Sequence, residues 1–231
     1  MTLFVPIGAD CGVAFFCRKF KMRHFALPFD WTVSYNGVSH SIEDDLTCFT
    51  HPLDLQRISN YGIYFHHDFS QEVKRREDEG KYARRCARLL RILETTTECV
   101  VFCRKGHSSH HHDEHNGRYQ TIVSDLDDCK RLHGVISVKY PTLRFKIVVF
   151  LLCGKCFSPH ELYESPHANI EIYNIAIPGI SNHHDDYARF EDCARNCPSL
   201  QPSSLSIEST DAKREASSLT RDYTDSPMSR Q

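Results

Sequence analysis

The sequence of 231 residues lacks an excess of charge of either sign, because 28 lysines and arginines are balanced by 30 aspartates and glutamates. Without a basic field, the composition does not favour nucleic-acid binding. No apolar run approaches the roughly 20 residues that span a membrane as a helix. The N-terminus has no basic segment, and its short apolar stretch stops at Asp10, so we expect no signal peptide.

Cysteine, in contrast, is abundant: the chain has 11 cysteines, an odd number. In a chain without a secretory signal, this composition predicts reduced thiols in an intracellular compartment, the cytoplasm. Many of the cysteines, such as Cys86, Cys99 and Cys103, lie in apolar patterns. We expect these to be small buried hydrophobic residues.

Strand-like and helix-like patterns alternate along the chain, an order that predicts an α/β domain of layered helices and a mostly parallel sheet. After Cys197, Ser, Thr and charged residues dominate. We therefore expect one domain over residues 1–197 and a disordered, Ser-rich tail over residues 198–231. The predicted strands are 3–7, 61–65, 99–103, 144–152 and 170–177, and the predicted helices are 12–22, 39–49, 80–93 and 124–133.

Cys11 lies where the first predicted strand turns into the first predicted helix. A thiol in the first turn of a helix is close to free N–H groups and to the positive end of the helix dipole, which stabilise a thiolate. We therefore expect Cys11 to ionise near neutral pH and to act as a nucleophile. The amides of Cys11 and Gly12 would then stabilise an oxyanion. The alternative is that Cys11 is only a small residue that fits a tight junction.

His67 is the first candidate for the base that would activate this thiol. It precedes Asp68 at a predicted strand end, whereas His66 would point the opposite way along a strand. Asp68 and Asp30 are both candidates for orienting the imidazole, Asp30 from a rigid Pro-Phe-Asp-Trp corner. Each of these residues also has a simpler interpretation, since histidines and aspartates commonly hydrogen-bond nearby backbone groups.

Arg84 and Arg85, on the third predicted helix, are candidates for binding a carboxylate or a phosphate. Gly8 and Gly12 belong to a strand–glycine–helix opening that can also hold a phosphate on helix N–H groups. A solvated basic face is the alternative for the arginines. The His-rich run over residues 107–115 and two cysteine pairs have metal-binding residue types but no fixed ligand spacing, so we predict no metal and no cofactor. Those pairs are Cys153 with Cys156 and Cys193 with Cys197.

Four segments occur in the order Gly8-Ala-Asp-Cys11, Pro28-Phe-Asp-Trp31, Phe65-His-His-Asp-Phe69 and Lys81-Tyr-Ala-Arg-Arg-Cys-Ala-Arg88, followed by the strand Val100-Val-Phe-Cys-Arg104. In order and spacing they resemble the papain-like cysteine peptidase family called DUF1796, which occurs in bacteria and large DNA viruses. The usual opening of that family is Ser-Leu-Gly-x-x-Cys, and here Pro6-Ile7 replaces its first two residues. The resemblance covers about the first half of the chain and implies that at least one of Arg84 and Arg85 turns inward.

The leading functional prediction is therefore a thiol hydrolase of the papain-like type that cleaves a peptide or isopeptide bond in a peptide or protein substrate. Cys11 would attack the carbonyl, and His67 would transfer the proton. We expect no nucleic-acid or membrane partner, and a location in the host cytoplasm if the protein is viral. Two alternatives stay open: a nucleotide- or phosphate-binding α/β protein, and a catalytically inactive interaction protein.

Overall fold

A five-stranded β-sheet forms the centre of the fold, with the strand order β1-β4-β5-β7-β6. The computed structural model describes residues 2–8, 10–34, 37–50, 61–65, 67–69, 71–107, 125–153, 162–163, 167–176 and 183–201. The sheet strands are β1 (Thr2–Pro6), β4 (Cys99–His107), β5 (Phe145–Cys153), β6 (Leu162–Tyr163) and β7 (Ile170–Ala176). Two further short strands, β2 (Val33–Ser34) and β3 (Ile63–Tyr64), pair with each other in antiparallel orientation.

β1, β4, β5 and β7 are parallel, and β6 pairs with β7 in antiparallel orientation at the edge. Parallel strands covered on both faces are typically continuous hydrophobic runs. Val100 to Cys103 in β4 and Ile147 to Leu152 in β5 are such runs, and all of these residues are buried. The register places Phe102 between Val5 and Ile147 across the three strands.

Helices cover both faces of this sheet and produce two hydrophobic cores. On one face pack α2 (Val38–Glu43), α3 (Arg75–Thr95) and α4 (Asp125–Lys139). On the other face pack α1 (Gly12–Lys19) and α5 (His183–Asn196). The result is a layered helix–sheet–helix architecture with a mostly parallel sheet, which confirms the fold class predicted from the sequence.

Several predicted boundaries differ from the structure for identifiable reasons. The helix predicted at 39–49 ends at Glu43, because Asp45 and Leu46 adopt positive φ angles of 52° and 61° before a short 3-10 turn over Thr47–Phe49. α1 ends at Lys19, and Lys21 has a φ of 57°. α3 begins at Arg75, ahead of the predicted residue 80, and β3 is reduced to two residues.

α5 was not predicted, although its sequence carries a helical apolar pattern. Tyr187, Phe190 and Ala194 are spaced at i, i+3 and i+7, and Phe190 and Ala194 are buried in the second core. Beyond this helix, Pro198–Leu200 forms a 3-10 turn with Leu200 buried against the same core. Residues 202–231 lie outside the described residues, so the disordered tail stays a prediction. Within the described part of the chain, no helix is long and apolar enough to cross a membrane.

A fully buried arginine joins the carboxyl end of β1 to the rest of the fold. Arg104, in β4, donates from Nε to Asp125 Oδ1 over 2.7 Å, and its Nη2 also contacts that oxygen. Its Nη1 donates to the carbonyl of Ile7 over 2.6 Å, and its Nη2 to the carbonyl of Ser34 over 2.8 Å. Ser34 Oγ in turn donates to the carbonyl of Gly8 over 2.7 Å. One guanidinium thus holds β1, β2 and the start of α4 together.

We predict that Arg104→Ala lowers the free energy of unfolding by about 3–5 kcal/mol, because Asp125 would keep a buried charge without its partner. Chemical denaturation measures this loss. Arg131→Ala is the matched control in α4, since the Arg131–Glu43 pair has side chains 43% and 53% exposed and such pairs contribute at most about 1 kcal/mol. Equal losses for the two variants would contradict the role given to Arg104.

Candidate active site

Cys11 lies at the carboxyl edge of the parallel sheet, between β1 and α1. It occupies the N-cap position of α1 and is half-buried. Its side chain makes no capping hydrogen bond, while its carbonyl accepts the Phe15 N–H over 2.9 Å. Parallel α/β sheets usually present their functional groups at this edge. The thiol therefore has the position predicted for it from the strand–turn–helix pattern.

The neighbours of Cys11 form an ion pair at the start of the helix. Lys105, near the end of β4, is only 2% exposed and places its Nζ 2.6 Å from Asp10 Oδ2. The other oxygen of Asp10, Oδ1, accepts the Gly12 N–H over 2.7 Å. The Asp10 carboxylate thus already occupies one of the helix N–H groups that we expected to stabilise an oxyanion.

Gly12 has no room for a side chain in this arrangement. A Cβ atom there would lie 2.8 Å from Asp10 Oδ1, 3.3 Å from a ring carbon of Tyr187 and 3.4 Å from Lys105 Nζ. Gly8 is similarly restricted, because a Cβ atom would lie 2.6 Å from a methyl group of Val13. Both glycines predicted to shape the opening therefore allow a close approach of the β1–α1 turn to its surroundings.

The electrostatic environment raises the pKa of the Cys11 thiol above its ordinary value. Burial of the thiol is the largest cause, and the Asp10 carboxylate adds to it. The backbone N–H of Cys11 and the Lys105 ammonium act in the opposite direction. The expectation of a thiol ionised near neutral pH by the helix start alone is wrong for this conformation.

His67 lies beside Trp31, in a position produced by the β2–β3 pair. Val33 is paired with Tyr64 in antiparallel orientation, so the residues before β2 lie beside those after β3. The rings of Trp31 and His67 meet edge to face with their centres 6.5 Å apart. The Arg18 guanidinium lies 5.6 Å from the Trp31 ring centre. His66 lies outside the described residues.

The face of α1 that follows Cys11 leads towards this histidine. Phe15 and Arg18 are four and seven residues after Cys11, and residues at that spacing share one helix face. The Arg18 guanidinium covers the Phe15 ring at 4.6 Å and also contacts Trp31, which contacts His67. A chain of contacts therefore connects the helix that carries the thiol to the predicted base.

Asp30 and Asp68 both make hydrogen bonds to groups other than a histidine. Asp30 is completely buried and accepts from Arg23 Nε over 2.9 Å and from the Leu27 N–H over 3.0 Å. Complete burial raises the pKa of its carboxyl, and Arg23 opposes that rise. Asp68 accepts from the Tyr82 hydroxyl over 2.8 Å and from Lys81. Both carboxylates hold the backbone segments next to Trp31 and His67.

The two candidate arginines of α3 behave differently. Arg84 is exposed. Arg85 is half-buried, and its guanidinium lies 5.3 Å from the centre of the Tyr82 ring. Like Arg23, its charge opposes the rise in the pKa of Asp30 that burial causes. Arg85 is thus the more buried of the two arginines, and the role of both stays a prediction.

Sequence reasoning missed Lys105 and did not use Asp10 as a site residue. The signal was present, because Arg104 and Lys105 end a strongly apolar strand and precede Gly106. Adjacent cations in that position indicate buried ion pairs at a sheet edge. The structure agrees with this signal at Gly106, which has no room for a side chain because a Cβ there would lie 2.5 Å from the Asp125 carboxyl carbon.

Across the parts of the chain that the structure describes, no group of three or more potential metal ligands occurs. Cys156 and residues 108–115 lie outside them.

Comparisons with known proteins agree with the resemblance inferred from the motifs. Residues 2–63 match the family model described as "Putative papain-like cysteine peptidase (DUF1796)". An uncharacterized protein of Acanthamoeba polyphaga mimivirus is 37% identical over 62 residues, which cover 25% of this chain and 28% of the relative. The chain therefore matches little more than a quarter of that relative's length. No solved structure matches the protein.

The family model includes Gly8, Cys11, Gly12 and Asp30, and it ends before His67. The resemblance to the family is confirmed over this N-terminal part. His67, Asp68, Arg84 and Arg85 lie beyond the matched residues, so their assignment depends on the geometry described above.

We predict that Asp10→Asn lowers the pKa of Cys11, because the neighbouring negative charge is removed while the amide oxygen still accepts the Gly12 N–H. The rate of alkylation by iodoacetamide at the Cys11 peptide, followed by mass spectrometry against pH, measures this shift. Lys105→Met should move the midpoint to higher pH. Asp127→Asn, at a side chain 55% exposed in α4, is the control, and equal midpoints for Asp10→Asn and this control would contradict the prediction.

Proposed function

We propose that the protein is a thiol-dependent hydrolase that cleaves peptide or isopeptide bonds and uses Cys11 as its nucleophile. The observation that carries this proposal is the position of a half-buried thiol at the helix N-terminus beside a buried Lys105–Asp10 pair. The match of residues 2–63 to a family described as cysteine peptidases supports it. A peptide or protein substrate follows from that description.

In the proposed reaction His67 accepts the thiol proton of Cys11, and the sulfur attacks the carbonyl carbon of the substrate. The C–N bond then breaks, and the imidazolium donates its proton to the departing amine. Water, deprotonated by the same imidazole, attacks the resulting thioester, releases the carboxylic acid and restores the thiol. Asp30 and Asp68 contribute as positioning residues, because they anchor the segments that carry Trp31 and His67.

Asp10 and Lys105 have opposite effects in this scheme. The Lys105 ammonium favours the thiolate, and the Asp10 carboxylate disfavours it. Asp10 also holds the Gly12 N–H, one of the two donors proposed for the oxyanion. Full use of that donor would require the Asp10 side chain to release it when substrate binds.

The phosphate-binding alternative is less well supported by this geometry. Helix N-termini bind phosphate through free N–H groups and positive charge. Here a carboxylate accepts the Gly12 N–H and neutralises Lys105, so a phosphate would meet the negative charge of Asp10. The inactive interaction protein remains the second candidate, favoured by the raised pKa of Cys11.

We predict that Cys11→Ala abolishes labelling by a peptide-like electrophilic probe that reacts with cysteine peptidases. The reason is that the proposed nucleophile is lost while the small alanine still fits the junction. Gel shift or intact mass of the labelled protein measures the outcome. Cys99→Ala is the matched control, because Cys99 is also a half-buried free cysteine. Unchanged labelling of Cys11→Ala would disprove the assignment, and nucleotides that raise the melting temperature would favour phosphate binding.

We predict that His67→Ala lowers kcat for a cleaved peptide by about 10²–10⁴-fold, the usual contribution of a general base. KM should change little, since the substitution removes the proposed base and leaves the other proposed substrate contacts in place. His40→Ala is a control, because His40 is 46% exposed beside Glu43 on α2. Activity of His67→Ala equal to that of the control would mean that another residue is the base.

A further inference from the structure

An exposed surface of two aromatic rings and one arginine continues along α1 from Cys11. Phe15 is 39% exposed, and the guanidinium carbon of Arg18 lies 4.6 Å from its ring centre. The same guanidinium lies 5.6 Å from the ring centre of Trp31, which is half-buried. Arg18 therefore bridges the two rings. We call Phe15, Arg18 and Trp31 the aromatic–arginine surface.

Two cations near this surface form ion pairs, whereas Arg18 forms none with the residues that the structure describes. Lys19 Nζ lies 2.6 Å from Glu191 Oε1, and Arg23 is bound to the buried Asp30. Among the residues that the structure describes, no carboxylate lies within ion-pair distance of Arg18. An exposed guanidinium stacked on aromatic rings thus carries a positive charge without a described acidic partner.

We propose that the aromatic–arginine surface binds an acidic side chain of the peptide substrate and so determines specificity. This inference rests on the proposed thiol hydrolase function. A guanidinium presents a planar set of N–H donors that matches a carboxylate, and stacking on aromatic rings holds that plane in place. The donors at its edge stay available to a ligand. Charge complementarity therefore favours an Asp or Glu side chain over a neutral one.

The position of Arg18 along α1 predicts how far this acidic residue lies from the cleaved bond. Cys11 and Arg18 are seven residues apart, which corresponds to about 10 Å along a helix axis. Helical side chains lean towards the N-terminus, so the guanidinium lies somewhat closer to the thiol. An extended peptide advances roughly 3.3 Å per residue. The acidic residue is therefore two or three residues from the cleaved bond, with an intervening side chain next to Phe15.

Trp31 makes this proposal measurable without turnover, because it is the single tryptophan of the chain. Its intrinsic fluorescence reports directly on the surface. The experiment titrates the full-length Cys11→Ala variant with two sets of synthetic peptides that differ only in Glu or Gln at each position around a central amide. We expect a saturable fluorescence change with affinity about fivefold higher for Glu at one such position, as for an exposed ion pair. The preference should weaken with added salt.

Adding Arg18→Ala to this variant should abolish the preference for Glu, and Arg18→Lys should retain part of it. Lys19→Ala is the matched control, because it removes a neighbouring charge that Glu191 already neutralises. Equal affinities for Glu and Gln peptides at every position, or a preference that survives Arg18→Ala, would overturn the inference.

Hydrolysis of the same peptides by the unmodified protein separates the two proposals. If Glu peptides bind more tightly but no peptide is cleaved, the aromatic–arginine surface is supported as a binding site and the hydrolase activity is contradicted. If Glu and Gln peptides are cleaved at equal rates, the hydrolase activity is supported and the specificity assigned to the aromatic–arginine surface is contradicted.

Discussion

The buried guanidinium of Arg104 is the constraint on which the carboxyl edge of the sheet depends. A fully buried cation is tolerated only when its charge is paired and its N–H groups are satisfied. Arg104 meets both conditions with the carboxylate of Asp125 and the carbonyls of Ile7 and Ser34. Since these partners lie in α4, directly after β1 and in β2, Arg104 ties the turn that carries Cys11 to two other elements of the fold.

Lys105, the next residue of β4, extends this arrangement to the thiol itself. Adjacent residues of a strand point to opposite faces of the sheet, so Arg104 and Lys105 serve different partners. Lys105 binds Asp10 and thereby holds the residue immediately before Cys11. Burial of the thiol and the Asp10 carboxylate together outweigh the backbone N–H and the Lys105 ammonium, so the pKa of Cys11 is raised in spite of the helix start.

The α/β class and the parallel order of the sheet could be predicted, because both follow from the alternation of strand and helix patterns. The position of Cys11 could also be predicted, since Gly8 and the apolar run before it define a strand–turn–helix junction. Adjacent cations near the end of an apolar strand indicate an ion pair, but the choice of Asp10 as the partner of Lys105 could not be predicted, because the two residues are 95 positions apart and meet through the register of β1 and β4. Likewise, α5 carries few apolar residues, and its burial depends on the second core.

The segments that resemble the peptidase family are also neighbours in space, which gives their order in the sequence a physical meaning. Asp30 of the second segment interacts electrostatically with Arg85 of the fourth. Asp68 of the third is hydrogen-bonded to Tyr82 of the fourth. These contacts attach the Trp31 corner and the His67 loop to α3, on the opposite sheet face from α1.

The same two segments are also connected to α1, the helix that follows Cys11. The β2–β3 pair places His67 beside Trp31, and the Arg18 guanidinium contacts the Trp31 ring. Arg18 packs between Phe15 and Trp31, so this contact joins the two layers. Under the proposed function, an acidic substrate that binds Arg18 would therefore contact the residue through which the two layers meet.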